Sequence, residues 1–495
     1  MHVDVRPTNR LRGSRSIDVA GCLGPVIQAL AEDSVDLSRV RVVCDWIQYR
    51  SNFRDIVDVR SILSAPSPVA EPSAFGVEEG LEIAIDLRRA DEVDLRALAA
   101  QLLVAHRSPQ DSTRVYLEGW TPEASSIIWQ FNALYWRALS AWEEVTGSEY
   151  EQALPGGESD ARNKAAAREL ILDLFKVWDD LAQRNALPEE LYVVELGVGN
   201  GNQARAWLDE FAALDQVGGR DYYRRLHYLM GDYSPHVLER AQHAVAGHRT
   251  HVSALVLDAT ELARTLGFLR YKAFLFYMSN VYDNLPGDEV ARIRGRVYLV
   301  HVRAYLPDVA AAAIAEQVSA PTDAVPALVS KLLRLGPELL TESLPRHFPK
   351  VEDAVEFWRQ CWQHIRLEER YVPLAGLDSY EIAPGLTGEN LRPLLEAGGD
   401  LRMQVSNGTV ASLVDTLPLL HPFGRLLCHD LFLTDIGEYE TSFRGPGKYD
   451  GSVVNWVNGP LLAQIGGRRG FDVDFKPFRH RAGSNVKTLT VHTRD

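Results

Sequence analysis

Cysteine is scarce in this chain. The 495 residues contain four, Cys22, Cys44, Cys361 and Cys428, which form no CxxC pair and no Cys/His ligand cluster. That argues against a zinc ribbon or a disulfide framework and for reduced, packed thiols without a metal site. Long apolar runs are missing as well. No stretch reaches the roughly 18 residues of a membrane span, and the basic N-terminus MHVDVRPTNRLRGSR lacks the apolar core of a signal peptide. The expectation is a cytoplasmic protein that makes no use of a membrane. Positive charge is in deficit, with 52 Lys and Arg against 67 Asp and Glu and a formal net charge of −15. Nucleic acid and anionic bilayers are poor partners for such a field, whereas a cationic or zwitterionic small molecule suits it.

What is present centres on one stretch, LYVVELGVGNGNQARAWLDEF, Leu191 to Phe211. An apolar run ends in Glu195, and glycines follow at alternate positions, Gly197, Gly199 and Gly201. Ala204, Trp207, Leu208 and Phe211 then recur three and four apart, the period of a helix. A buried strand, a glycine turn and a helix start make a place for a nucleotide-like ligand, because glycine takes positive φ and lets a ligand press on the main chain. A dinucleotide fold wants a third glycine in GxGxxG, and Asn202 stands there. The next acids close successive apolar runs: Asp232 in LHYLMGDYSP, Asp258 in ALVLDA, and then Asn280 after YKAFLFYMS.

Strand ends at Glu195, Asp232, Asp258 and Asn280 resemble those of a class I S-adenosylmethionine (SAM) methyltransferase. The resemblance implies an α/β fold with a Rossmann-like seven-stranded sheet closed by an antiparallel hairpin, and SAM as cofactor. It implies that Gly197, Gly199 and Gly201 face the methionyl part, that Asp232, with Tyr233 beside it, takes the ribose hydroxyls, and that Asp258, with Ala259, meets the adenine. The run Asn280–Asp283–Asn284–Pro286 in SNVYDNLPGDEV is similar to that of the MidA-type methyltransferases, which include the mitochondrial complex I assembly methyltransferase. DYSP at Asp232 to Pro235, the strand GRLLCHD and KYDGSVVNWVNGPLLA agree with it. The likeness covers residues 190 to 305 and 405 to 495.

Five segments are expected: 1–110, an N-terminal α+β accessory region; 111–190, a helical lead-in rich in aromatics; 191–310, the SAM-binding first half of the sheet; 311–400, a helical insertion or lid; and 401–495, the second half. The N-terminal region has three equal uses in prospect: dimerisation, roofing the site or covering the sheet edge. Gly156, Gly157 and Ser159 either meet the cofactor or simply start the long helix that follows.

Methyl transfer from a sulfonium is an in-line displacement that needs positioning and a water-poor site, with no metal. The family resemblance implies a guanidino nitrogen of arginine as acceptor. The family's Glu after the strand-four Asn is Val281 here, so the carboxylate that orients the guanidinium must be another residue. Asp283 is one candidate, beside Asn280, and Glu438 and Glu440 in TDIGEYETSF are the others. His429 could instead serve as a base. A large insertion and an altered acceptor position favour free L-arginine or a related small molecule, as in natural-product pathways. A protein arginine substrate, another small metabolite and a non-catalytic SAM-binding assembly factor stand as alternatives.

Overall fold

The computed structural model describes residues 1–6, 18–65, 77–107, 113–147, 160–441, 445–480 and 484–494. The chain divides into two units, each assembled from separate stretches of sequence. Residues 1–134, 286–405 and 435–456 form the first, and residues 135–285, 406–434 and 457–495 the second.

The second unit is a layered α/β structure. Its strands, numbered in chain order, are β1 Leu191–Leu196, β2 Leu226–Asp232, β3 Val252–Val256, β4 Ala273–Ser279, β5 Leu420–Asp430, β6 Phe471–Pro477 and β7 Lys487–Thr493. They lie in the order β6-β7-β5-β4-β1-β2-β3. β1 to β5 are parallel, and β7 runs against both β5 and β6. Parallel strands covered on both faces read as unbroken apolar runs, and Val193 to Leu196 and Ala273 to Phe276 are all buried. The helices are α1 Asp160–Gln183, α2 Asn202–Val217, α3 Pro235–Ala244, α4 Asn407–Thr416 and α5 Gly459–Arg468. α1 carries Ile171, Leu174, Phe175, Trp178 and Leu181 on one stripe and buries it. Phe175 packs edge-on to Phe211 of α2 at 5.0 Å, and Trp178 to Phe274 of β4 at 5.6 Å. Burying each such side chain contributes roughly 1.5–3 kcal/mol, which fixes the helices that flank the glycine turn.

The first unit is built on a ten-stranded mixed sheet. Its path runs His2–Arg6, Val40–Asp45, Glu78–Asp86, Val57–Leu63, Arg366–Pro373, Arg296–Pro307, Glu289–Ile293, Leu401–Gln404, with Arg114–Tyr116 and Thr121–Pro122 pairing to Arg296–Pro307. Helices Val19–Glu32 and Leu95–Arg107 cover its N-terminal strands over a core that includes Val26, Leu30, Val42, Ile83, Ile85 and Leu103.

Several segment boundaries differ from the sequence expectation: residues 111–134 of the lead-in, and 401–405 and 435–456 of the expected second half, belong to the first unit. Helices do fill much of 311–400, as Asp308–Gln317, Val325–Ser343 and Val351–His364. They lead, however, into strand Arg366–Pro373, which pairs with Arg296–Pro307 and, in parallel, with Val57–Leu63. The segment is therefore built into the same sheet as the N-terminal region and does not stand alone as a lid. Residues 286–310, expected in the first half of the α/β sheet, supply two antiparallel strands to that other sheet. Helical periodicity locates helices but carries no information on what a later strand will pair with. All four cysteines are free, with Cys44, Cys361 and Cys428 buried. Among the described residues, no helix is long and apolar enough to cross a membrane.

Candidate functional site

β1 passes to α2 through Gly197, Gly199 and Gly201, whose φ angles are 68°, 58° and 79°. A side chain at any of them is strained, and two have no room for one. A Cβ on Gly197 would lie 2.5 Å from Cγ2 of Val281, and one on Gly201 would lie 2.7 Å from Cα of Ala241 in α3. The backbone N–H of Gly197 donates to the Gly231 carbonyl at 2.8 Å. The Asp232 carboxylate accepts from the Ser234 N–H at 2.9 Å and is faced by the N–H groups of Gly199 and Tyr233. Ser234 then caps α3 by accepting from Val237 N at 3.3 Å. One acid thus ties the end of β2 to the middle of the glycine turn.

Four acids stand at the ends of neighbouring strands: buried Glu195 on β1, half-buried Asp232 on β2, buried Asp283 just after β4, and buried Asp430 on β5. Burial pushes Glu195 up to about 8, the charge of Asp232 adds to this, and the Tyr228 hydroxyl donates to its Oε2 at 2.6 Å. Burial lifts Asp232 to about 6 against its three backbone donors. Asp430 is likewise lifted by burial to about 6, and Asp283, which faces it, goes well above the carboxylate range. Among the described residues, no Arg, Lys or His forms an ion pair with any of the four or pulls its titration down.

The other expected residues have plainer settings. Asp258 is exposed after β3, where it accepts from Thr260 N at 2.8 Å and Thr260 Oγ1 at 2.7 Å. Tyr233 is 38% exposed, and Ala259 is half-buried. Asn280 takes a left-handed φ of 52°, and its N–H donates to the His429 carbonyl at 2.9 Å, leaving the side chain exposed. His429 packs on Phe478 at 4.6 Å with Nδ1 2.9 Å from Thr488 Oγ1, and burial lowers it to about 4. Such a ring is neutral at pH 7 and held by its neighbours. Glu438 and Glu440 belong to the first unit, in the short helix Glu438–Thr441. A Cβ on Gly398 would lie 2.7 Å from Glu440 Oε1. Within the α/β unit, then, the acids are brought together as two pairs, Glu195 with Asp232 and Asp283 with Asp430. Gly156, Gly157 and Ser159 lie outside the described residues.

Sequence reasoning gave no role to Tyr228, Val281 or Asp430. Tyr228 is invisible from its own strand, since only the β1–β2 register, Val193 opposite Tyr228, brings it to Glu195. Asp430 did leave a signal, an acid closing the apolar run GRLLCHD.

No family model and no curated protein matches the chain. Solved structures to which it is similar include two members of one superfamily from Burkholderia thailandensis, one uncharacterized and one bound to S-adenosyl-homocysteine. Each is 14% identical over 80% of this chain with a TM-score of 0.44, and the alignments cover 91% and 92% of those chains. A trans-methyltransferase, CalH, in complex with SAH is 12% identical over 82% of this chain and 77% of its own, with a TM-score of 0.30.

Proposed function

We propose that the chain is a SAM-dependent methyltransferase whose cofactor lies over the glycine turn and the end of β2. The observation that carries this is the left-handed glycine turn after β1 with Asp232 at the end of neighbouring β2, among acids that have no cation of their own. The strand order reverses between β1 and β4, and in open parallel sheets ligands lie in the crevice at such a point. SAM, when bound, supplies a methyl group on a positively charged sulfur. The three left-handed glycines leave the main chain open to close approach. Asp232 retains acceptor capacity for ribose hydroxyls beyond its backbone donors. Asp258 is exposed beside it for an adenine, next to half-buried Ala259, and Tyr233 and Asn280 flank the same edge. With Glu195 and Asp283 holding their protons, the charge left on Asp232 and Asp430 suits a sulfonium.

The acceptor in this reading is a guanidino nitrogen of free L-arginine or a related small cation. The likeness of the Asn280–Pro286 run and the acidic field support it. Guanidinium is not deprotonated at neutral pH, so the chain's part is to orient it and exclude water.

Calorimetry with SAM tests the cofactor assignment. Gly199→Val should abolish binding in a folded protein, and Asp232→Ala should weaken it by about 1.5–3 kcal/mol. Equal binding by the parent and both variants overturns the assignment. Mass spectrometry after incubation with SAM then separates the acceptors. Methylation of an arginine-containing protein alone, without free L-arginine, removes the small-molecule reading. Transfer to no acceptor favours the assembly factor.

A further inference from the structure

Asp430 is fully buried at the end of β5, yet both of its carboxyl oxygens accept backbone hydrogen bonds. Its Oδ2 accepts from Tyr282 N at 2.8 Å and from Asp283 N at 3.3 Å, and its Oδ1 accepts from Leu431 N at 2.7 Å. The Val281 N–H adds a fourth donor. The carboxyl of Asp283, 6% exposed, hydrogen-bonds to Asp430, and its Oδ1 accepts from Asn284 Nδ2 at 2.8 Å.

We propose that Asp430 is a positioning residue of the proposed methyl-transfer site, holding the loop 280–285 by its backbone N–H groups and by the carboxyl proton of Asp283. Asp283 is then a neutral donor and not an open carboxylate. Two adjacent buried carboxyls cannot both ionise, and the charge settles where the donors are. Asp430 has donors from several residues on both oxygens, whereas Asp283 has the Asn284 amide and its own N–H, so the shared proton stays with Asp283. The groups facing the pair are Cys428 of β5 and Tyr282 of the loop. From α4, Thr409 Oγ1 donates to the Tyr282 carbonyl at 3.1 Å. None of these carries a cation. The placement of the loop at the acceptor side rests on the methyltransferase reading, while the hydrogen-bond assignment stands without it.

Isosteric variants of the full chain decide the matter. In Asp283→Asn the amide can donate to Asp430 as the protonated carboxyl does. Hydrogen exchange at residues 280–285 should then match the parent. In Asp430→Asn, where one face of the side chain becomes a donor, it should quicken by about tenfold or more. The folded state keeps a proton on Asp283 that the unfolded chain releases near its ordinary 3.8. Its stabilising effect is complete below that pH and is lost as pH rises through the folded value. Asp283→Asn should therefore flatten the fall of the unfolding midpoint with rising pH. The proposal fails if Asp283→Asn quickens exchange as much as Asp430→Asn, or if its midpoint–pH curve overlays the parent's. Calorimetry with SAM on the same samples judges the cofactor reading separately, since a parent that binds no SAM can still show both effects.

Discussion

Two sets of buried acids, Glu82 with Glu369 in the first unit and Glu195 in the second, behave in opposite ways. In the ten-stranded sheet Glu369 lies 2.5 Å from Arg54, 2.9 Å from Arg60 and 2.7 Å from Arg402. Glu82 accepts from Arg60 at 2.9 Å and from the Tyr371 hydroxyl at 2.6 Å. Burial alone would raise both, but the guanidinium charges outweigh it, holding Glu82 down at about 2 and Glu369 well below the carboxylate range. In the α/β unit Glu195 is just as deeply buried, meets no cation, and rises to about 8. Residue type and burial are the same, so the presence of a cation within about 4–6 Å decides the charge state. Glu82 and Glu369 are neutralised by arginines within the sheet. Glu195 is neutralised by its own proton.

Removing Glu369 should cost the most. Glu369→Ala takes one carboxylate from three buried guanidinium groups, which keep Glu289, Glu82 and Asp58, and should lower stability by about 3–5 kcal/mol in urea unfolding. A loss under about 1 kcal/mol would mean that the arginines are compensated elsewhere, and the contrast would collapse. The second effect concerns pH. Glu195 is raised from 4.5 to about 8, so its contribution is complete below 4.5 and lost as pH rises toward 8. That single group gives a slope of up to about 1.4 kcal/mol per pH unit in that window. Glu195→Gln, permanently neutral, should remove that slope from a series of thermal melts. Smallest is the surface control. Arg392 pairs with Glu389 at 2.7 Å and Glu396 at 3.3 Å on an exposed helix. Arg392→Ala should leave the unfolding midpoint unchanged within error, since solvent screens such pairs.

The glycine turn was legible because three independent signals coincide there: an apolar run, alternate glycines and a helical stripe. Asp232, Asp258 and Asn280 were legible as the residues that close successive strands. The ten-stranded sheet was not. GLEIAIDL alternates as a half-buried strand should, which would turn Glu82 toward water, yet Glu82 is 3% exposed. Arg41 and Arg60 on the flanking strands meet it inside, and pairing across strands leaves no local trace. Asp283 shows the same limit at the site. Read alone it is a carboxylate free to orient a guanidinium. Its setting depends on Asp430, which lies next to it only because β4 and β5 pair.

Three thiols are sealed: Cys44 and Cys361 in the first unit and Cys428 on β5 in the second are each 0% exposed. Burial also pushes Cys44 up to about 12, so the reactive thiolate is rare until the strand opens. Alkylation of each is gated by an opening of the fold around it, with half-buried Cys22 setting the upper rate. The wild-type chain therefore carries its own clocks. Were the units to open as a single cooperative block, Cys361 and Cys428 would be labelled in step; were they separate blocks, the two thiols would report two opening free energies from one sample.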